Sequence, residues 1–144
     1  MKTILRHKQN GLAAVEFIIV FPVLLLLLVG VIEIGNIMLE QNSLNKGVQN
    51  GARYAVTEVY GTSSYDQIAD EDEIKNIVLY GQSSTGSHRI LDALAVSDIS
   101  VSHVNGYVTV SASYDYLPSF LVLPISNTSL AVTLNASSVM RTGP

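Results

Sequence analysis

The 144-residue sequence contains no cysteine and no tryptophan, and only 14% of its residues are charged. Without cysteine, the chain cannot form a disulfide scaffold, a thiolate zinc site or a cysteine nucleophile. Lysine and arginine together number eight, against twelve aspartates and glutamates. Because proteins bind phosphate backbones through clustered lysines and arginines, this composition argues against nucleic acid as a partner.

The few basic residues are distributed unevenly. Residues 1–11 carry Lys2, Arg6 and Lys8 and no acid, which gives a charge of +3. The remaining 133 residues carry five basic and twelve acidic side chains, which gives a charge of −7. A short basic segment ahead of an apolar run follows the positive-inside pattern, which predicts a cytoplasmic N-terminus.

One stretch holds the excess of apolar residues. From Leu12 to Leu39, 22 of 28 residues are apolar, and the sixteen residues from Phe17 to Ile32 carry no charge. Roughly twenty apolar residues at about 1.5 Å each cross the hydrocarbon core, so this stretch predicts a membrane-spanning helix. A cleaved secretory signal is the alternative, but its apolar region is usually about 7–15 residues long and ends at small residues. Here residues 33–36 read Glu-Ile-Gly-Asn instead.

Two residues in this stretch are unusual for a membrane helix. Pro22 has no amide hydrogen and frees the carbonyl of Ile18, so we expect a kink there. Glu16 is ionisable and lies near one end of the run, where a charge costs less than the roughly 2.5–3.5 kcal/mol it costs at the membrane centre. Glu16 either sits at the headgroup level or meets a positively charged partner inside an assembly.

The sequence around Glu16 resembles the signal of type IV prepilins. A basic leader is followed by Gly11, four apolar residues, Glu16, the aromatic Phe17 and a long apolar segment. In that family a prepilin peptidase cuts after the glycine, which corresponds to the bond between Gly11 and Leu12. The resemblance implies that Glu16 then pairs with the new N-terminal amine of a neighbouring subunit.

Residues 11–55 are further similar to TadE, a family of minor pilins or pseudopilins of the tight-adherence (Flp-type) pilus. The similarity rests on Ala14, Val15, Glu16 and Phe17, on Pro22 six residues after the glutamate, on the Glu-Ile-Gly after the apolar run, and on Arg53 and Tyr54. Phe17 and Pro22 are expected to pack and kink the helix. One departure is Asn36, where arginine is expected. Major Flp pilins are much shorter than the 133 residues left after a cut at Gly11, which favours the minor class.

The resemblance implies a structural and assembly protein rather than an enzyme, with no cofactor and no metal. Its expected partners are a TadV-like prepilin peptidase, the major Flp-type pilin, TadF-like minor pilins, the inner-membrane assembly platform, and membrane lipid before assembly. The expected location is the bacterial inner membrane, with a periplasmic C-terminal part, and then the pilus or cell surface. The alternative is a permanently anchored single-pass protein whose leader stays uncleaved and whose periplasmic part binds a partner or acts as a scaffold.

The helix is expected to continue past the membrane to Thr57. Apolar residues recur at helical spacing at Ile34, Ile37, Met38, Leu44, Val48, Ala52 and Ala55. Glu33 and Glu40 are expected on other sides of the helix, and Gly35, Gly47 and Gly51 weaken the helix prediction by about 1 kcal/mol each. We therefore predict a leader at residues 1–11, a helix at 12–57 that spans the membrane to about residue 39, and a head at 58–144.

The head is predicted to begin with a short helix over residues 66–80. Four acids at 70–73 suit its first turn, where the helix dipole favours negative charge. The same cluster could bind calcium, but it lacks the glycine and the alternation of an EF-hand loop.

A three-stranded antiparallel sheet is predicted to complete an α+β fold. Asn105-Gly106 is a strong hairpin signal, and a two-residue turn there pairs Val104 with Tyr107. In this register one face is largely apolar, with His103 opposite Val108, Val101 opposite Val110, and Ile99 opposite Ala112. Alternation over Leu130, Val132, Leu134 and Ala136 predicts the third strand. The apolar residues 120–123 are either part of the core or an exposed contact for another subunit.

No catalytic or metal-binding arrangement is evident in the sequence. His7 lies in the leader, His88 lies in a polar loop, and His103 is expected to pack on the apolar strand face. No two of these residues have metal-ligand spacing, and no local acid–base pair is implied.

Overall fold

The computed structural model describes residues 9–58, 68–119 and 131–142. It contains two helices, α1 (Gln9–Thr57) and α2 (Glu71–Tyr80), a 3-10 turn (Val96–Asp98), and three strands, β1 (Ile99–Val104), β2 (Tyr107–Tyr116) and β3 (Val132–Arg141). The strands form one antiparallel sheet in the order β1-β2-β3. The predicted α+β class and its set of elements are confirmed.

Helix α1 is one continuous helix of 49 residues, about 74 Å long at 1.5 Å per residue. It continues through Pro22 without interruption and ends at Thr57, as expected. Its two parts have different surroundings. We call residues 11–32 the apolar half, because its side chains are exposed or partly exposed, and residues 33–57 the packing half, because the head covers one face of it.

The core lies between the packing half, α2 and the sheet. Helix α1 contributes Leu44, Val48, Ala52 and Ala55, and α2 contributes Ile74, Val78 and Leu79, all of them buried. Two members of the predicted apolar face behave differently, because Ile34 is 60% exposed and Met38 is 66% exposed. Both continue the exposed apolar surface of the apolar half, so the contact with the head uses a narrower face than the sequence predicted.

Helix α2 begins five residues later than predicted, and residues 66 and 67 lie outside the described part. The side chain of Asp70 accepts a hydrogen bond from the amide of Asp72 at 2.9 Å, which caps the helix. Three acids occupy the first turn, as expected, and Lys75 pairs with Glu71 at 2.7 Å. The acids therefore have a role in starting the helix.

Gly47 and Gly51 allow α2 to approach α1 closely. A Cβ on Gly47 would lie 3.1 Å from the carbonyl oxygen of Val78, and one on Gly51 would lie 2.6 Å from Cγ2 of the same valine. The two glycines lie one helical turn apart and face the same partner. Their cost in helix propensity is therefore accompanied by a close contact, and a larger residue at position 51 would require Val78 to shift.

Alanine at position 51 is expected to lower the free energy of unfolding by about 1 kcal/mol. Overpacking costs typically 1–3 kcal/mol, while leaving glycine in a helix returns about 1 kcal/mol. Gly35→Ala is the matched control, because a Cβ there would meet nothing within 4 Å. We expect Gly35→Ala to be neutral or stabilising in urea unfolding of the full chain in detergent, followed by near-ultraviolet circular dichroism. Equal effects of the two changes would contradict the close approach.

The hairpin has the predicted turn and register. Asn105 and Gly106 both have positive φ, at 54° and 74°, as a type I′ turn requires. Strands β1 and β2 pair with Val104 opposite Tyr107 and Ile99 opposite Ala112. Strand β3 pairs with β2 from Val132 to Arg141, so it runs beyond the predicted alternation. Leu130 and residues 120–123 lie outside the described residues.

Candidate functional site

The apolar half of α1 presents an almost uninterrupted apolar surface. Its exposed large side chains include Leu12, Val15, Phe17, Ile18, Ile19, Val20, Phe21, Val23, Leu24, Leu25, Leu27, Leu28, Val31 and Ile32. By length and composition, α1 includes a stretch that could cross a membrane. Exposing apolar surface to water costs about 25 cal/mol of free energy per Å². The apolar half is thus compatible with membrane anchoring.

The residues of the predicted cleavage site lie at the exposed start of this surface. Gly11 is helical, and a Cβ on it would meet nothing within 4 Å. Leu12, Ala14 and Val15 are exposed beside it. No part of the described chain therefore packs against Gly11.

Glu16 is exposed and has no hydrogen bond or ion pair among the described residues. It lines a shallow depression of about 270 Å³ with Ala13, Phe17 and Val20. The ring of Phe17 stacks on that of Phe21, with centroids 5.2 Å apart. A carboxylate on an otherwise apolar surface is expensive to place in lipid unless a cation meets it.

Near the C-terminal end of α1, Arg53 and Tyr54, which contribute to the resemblance in sequence, have different surroundings. Arg53 is exposed and forms no ion pair with a described residue. Tyr54 donates a hydrogen bond from its hydroxyl to Oε2 of Glu73, at 2.8 Å, which joins α1 to α2. That bond raises the pKa of Tyr54.

Glu33 corrects an expectation from the sequence, because it faces the head and is only 3% exposed. Its Oε1 accepts hydrogen bonds from the hydroxyl of Tyr116 at 2.7 Å and from the amide of Ser119 at 3.0 Å. Its Oε2 is also buried and has no hydrogen-bond partner among the described residues. Through these bonds, the Glu33 carboxylate joins the end of β2 and the following residue Ser119 to the start of the packing half of α1.

A second carboxylate repeats this contact two helical turns further on. The hydroxyl of Tyr114 donates to Oε2 of Glu40 at 2.5 Å. Glu33 and Glu40 are seven residues apart and therefore lie on the same face of α1. Tyr114 and Tyr116 are two residues apart and therefore lie on the same face of β2, so both pairs can form. Glu33, Glu40, Tyr114 and Tyr116 thus form two parallel bonds between α1 and β2, which we call the carboxylate–tyrosine latch.

The latch changes the chemistry of its tyrosines. Burial, followed by the hydrogen bond to Glu33, raises the pKa of Tyr116 to about 12. Burial and the bond to Glu40 raise the pKa of Tyr114 well above its usual value. Both hydroxyls donate hydrogen bonds to the carboxylates, and the raised pKa values extend the pH range in which they keep their protons.

Asn36 belongs to the same junction. It partly opposes the rise in the pKa of Tyr116. It lies three residues after Glu33, on a neighbouring position of the helix surface. The resemblance leads us to expect arginine at position 36, and an arginine there would bring a cation close to the Glu33 carboxylate. The asparagine brings none, and Oε2 of Glu33 stays without a partner in the described part of the chain.

Residues 11–53 match the family model described as TadE-like protein. This segment is TadE-like. The match begins at Gly11 and covers the apolar half and most of the packing half, close to the range that carried the resemblance. No curated protein and no solved structure is significantly similar to the chain.

The match covers 43 of the 144 residues of the chain. It covers Gly11, Glu16 and both latch carboxylates, whereas the two latch tyrosines lie outside it. In the described ranges, no group of three or more His, Asp or Glu side chains could hold a metal ion.

Proposed function

We propose that this chain is a minor pilin, or pseudopilin, that assembles, primes or decorates a tight-adherence pilus. The observation that carries the proposal is the division of α1. One continuous helix begins at Gln9, presents an exposed apolar half from Gly11 onwards, and carries the head on its packing half. A TadE-like match over this helix supports the same class.

In this proposal the leader stays in the cytoplasm and the head lies in the periplasm. A TadV-like prepilin peptidase cuts between Gly11 and Leu12, where a Cβ on the glycine would meet no other part of the described chain. The apolar half holds the protein in the inner membrane before assembly. Once the subunit leaves the bilayer, the same surface packs among the apolar helices of major and minor pilins, so it stays out of water throughout.

Glu16 supplies the charge for joining subunits. Cleavage creates an amine at Leu12, and Glu16 lies four residues, or about 6 Å, further along the helix. A neighbouring subunit shifted by this distance would place its amine at the level of Glu16. The pairing is strong only because both charges would lie in a low-dielectric interior, where an unpaired charge is costly.

The carboxylate–tyrosine latch would transmit mechanical force between α1 and the head. A filament subunit is pulled through its helix, while its head makes contacts at the surface. Bonds from Glu33 and Glu40 to β2 join the head to α1 near the end of the apolar half. The latch therefore keeps helix and head together as one unit during extraction from the membrane.

Glu16→Gln is expected to permit cleavage after Gly11 but to reduce incorporation of the protein into pili. Glutamine keeps the shape of the side chain and removes the charge that an amine needs. Incorporation is measured by immunoblotting sheared pili and membranes from cells that express the processed chain.

Glu58→Gln serves as the control, because Glu58 is exposed just after the end of α1. We expect this variant to be incorporated like the wild-type chain. Full incorporation of the Glu16→Gln chain would remove the charge-pairing role, and an uncleaved leader in the wild-type chain would favour a permanently anchored protein.

A further inference from the structure

The two glutamates that bound the uncharged run of α1 differ in their exposure. Glu16 is exposed, whereas Glu33 is only 3% exposed, because the head covers it. The sixteen residues between them span about 24 Å, while the hydrocarbon core of a bilayer is about 30 Å thick. The hydrocarbon therefore extends about 6 Å, or four residues, past one of the two glutamates.

The difference in exposure selects the side on which this happens. A bare carboxylate is costly in hydrocarbon, so Glu16 lies at the headgroup level before assembly. The carboxylate of Glu33 is surrounded by protein and accepts two hydrogen bonds from the head, so lipid next to it does not contact the charge. The hydrocarbon therefore continues past Glu33 to about residue 36, twenty residues after Glu16. Ile34, which is 60% exposed, agrees with this boundary.

This position of the bilayer brings part of the head to its surface. Leu117 lies between Tyr116 and Ser119, which both donate hydrogen bonds to Glu33. The structure thus holds Leu117 close to the level of Glu33, where the hydrocarbon ends. Leu117 is 69% exposed, so a large apolar side chain of the head faces away from the core at that depth.

Two further elements place apolar side chains beside Leu117. Together with Leu39 of α1 and Ile90, which precedes the 3-10 turn, Leu117 lines a groove of about 500 Å³. Leu39 and Ile90 are 67% and 45% exposed. Leu39 lies three residues, about 4.5 Å, beyond residue 36, which is within a headgroup layer of roughly 5–7 Å. We call the side chains of Leu39, Ile90 and Leu117 the docking rim.

The groove also contains two acids, and these limit how deeply it can enter a bilayer. Oε2 of Glu40 accepts the hydrogen bond from Tyr114, and Asp92 is exposed. Carboxylates are accommodated among hydrated headgroups and are costly among acyl chains. A surface that combines both kinds of side chain fits the boundary between headgroups and acyl chains, where amphipathic elements bury their apolar face by about 5–10 Å.

We propose, on the basis of the membrane anchoring in the function above, that the docking rim inserts into the lipid bilayer and holds the head against its surface before assembly. Lipid is the occupant because the rim continues the exposed apolar surface of the apolar half and lies at the depth of the boundary. The rim is a second membrane contact, formed mainly by the head, and it restrains rotation and tilt of the head about α1. Extraction of a subunit then requires release of the rim as well as of the helix.

Engineered tryptophans test this contact, because the natural chain has none. Leu117→Trp reports the rim, and Leu27→Trp reports the middle of the span. Val104→Trp reports the far end of the head, since Val104 is 62% exposed beside the start of β2, about 30 Å along the strand from Tyr116. Each full-length chain is reconstituted in phosphatidylcholine vesicles whose acyl chains carry bromine, which quenches tryptophan, either near the glycerol backbone or near the bilayer midplane.

We expect Leu117→Trp to lose more fluorescence to bromine near the glycerol backbone than to bromine near the midplane. Its emission should lie at shorter wavelength than that of Val104→Trp, which neither lipid should quench. Leu27→Trp should show the opposite depth preference. Adding Leu39→Ser to the Leu117→Trp chain should reduce the quenching, whereas Val139→Ser, at a residue that is 59% exposed on the opposite face of the sheet, should leave it unchanged.

The same three probes separate failure of the docking from failure of the anchoring. Quenching of Leu27→Trp without quenching of Leu117→Trp would overturn the docking and leave the anchoring in place. A short-wavelength emission of Leu117→Trp without quenching would assign the rim to a protein contact and would also overturn the proposal. Unquenched Leu27→Trp would contradict the anchoring itself. Cleavage after Gly11 is not needed for this measurement, so the pilin function is tested separately.

Discussion

A chain with Gly11→Val is expected to keep its leader in cells that contain the prepilin peptidase. In the proposed processing, the peptidase cuts next to a residue without a side chain, and a β-branched residue would add bulk at the bond to be cut. A Cβ on Gly11 would meet nothing within 4 Å, so the substitution leaves the described packing of the chain unchanged. Loss of cleavage would therefore report recognition by the enzyme. Immunoblots and intact mass show whether residues 1–11 remain.

The matched control for this change is Gly35→Val. Gly35 lies in the same helix and also has open space around it, so neither substitution brings a Cβ within 4 Å of another described residue. We expect the Gly35→Val chain to be processed like the wild-type chain. Normal processing of the Gly11→Val chain would contradict cleavage at this bond, and equal loss in both variants would point to misfolding instead.

Removal of the Tyr116 hydroxyl by Tyr116→Phe is expected to lower the free energy of unfolding by about 1.5–3 kcal/mol at neutral pH. The hydroxyl donates to the buried carboxylate of Glu33, and hydrogen bonds to charged groups contribute about this much. The phenylalanine ring keeps the packing of β2. Urea unfolding of the full chain in detergent, followed by near-ultraviolet circular dichroism, measures the difference.

The pH dependence of this effect has a definite sign. The pKa of Tyr116 is raised from 10.0 to about 12 by burial and by Glu33. A raised pKa means that the stabilisation is complete below pH 10 and is lost as the pH rises towards 12. The difference in free energy of unfolding between the wild-type and Tyr116→Phe chains should therefore decrease as the pH rises from 10 to 12.

Tyr107→Phe is the control for the same strand. Tyr107 is half exposed at the start of β2, and its hydroxyl makes no hydrogen bond to a described residue. We expect this change to leave stability within about 0.5 kcal/mol of the wild-type value. A loss as large as that of Tyr116→Phe, or a gap that does not depend on pH, would argue against the latch.

The elements that rely on local sequence were predictable. The hairpin register follows from a turn that needs positive φ at two positions and from a side-chain period of two, so Asn105 and Gly106 fix it. The long helix follows from an apolar run of sufficient length and from helical spacing beyond it. These features depend on neighbours in the chain, which the sequence displays directly.

The latch was not predictable, because it depends on where the sheet meets the helix. Glu33 at the end of an apolar run is consistent with a solvent-facing residue, and only the position of Tyr116 shows that it is buried. One signal was available. Tyr114 and Tyr116 alternate on the apolar face of β2, and a buried tyrosine hydroxyl requires an acceptor. Seven-residue spacing between Glu33 and Glu40 matches that requirement.

Gly47 and Gly51 are a second feature whose role could not be predicted from the sequence. In the sequence they reduce helix propensity and count against a helix that reaches Thr57. In the structure Val78 of α2 packs against both glycines. This tertiary contact outweighs the local cost in helix propensity of about 1 kcal/mol for each glycine. A helix that approaches another this closely needs glycine, and that need appears only when the partner is in place.

The most direct test of the pilin proposal is the N-terminus and intact mass of the wild-type chain, expressed with and without its prepilin peptidase. We predict a mature form that begins at Leu12 only when the peptidase is present. A chain that begins at Met1 in both samples would contradict the proposal and favour a permanently anchored protein.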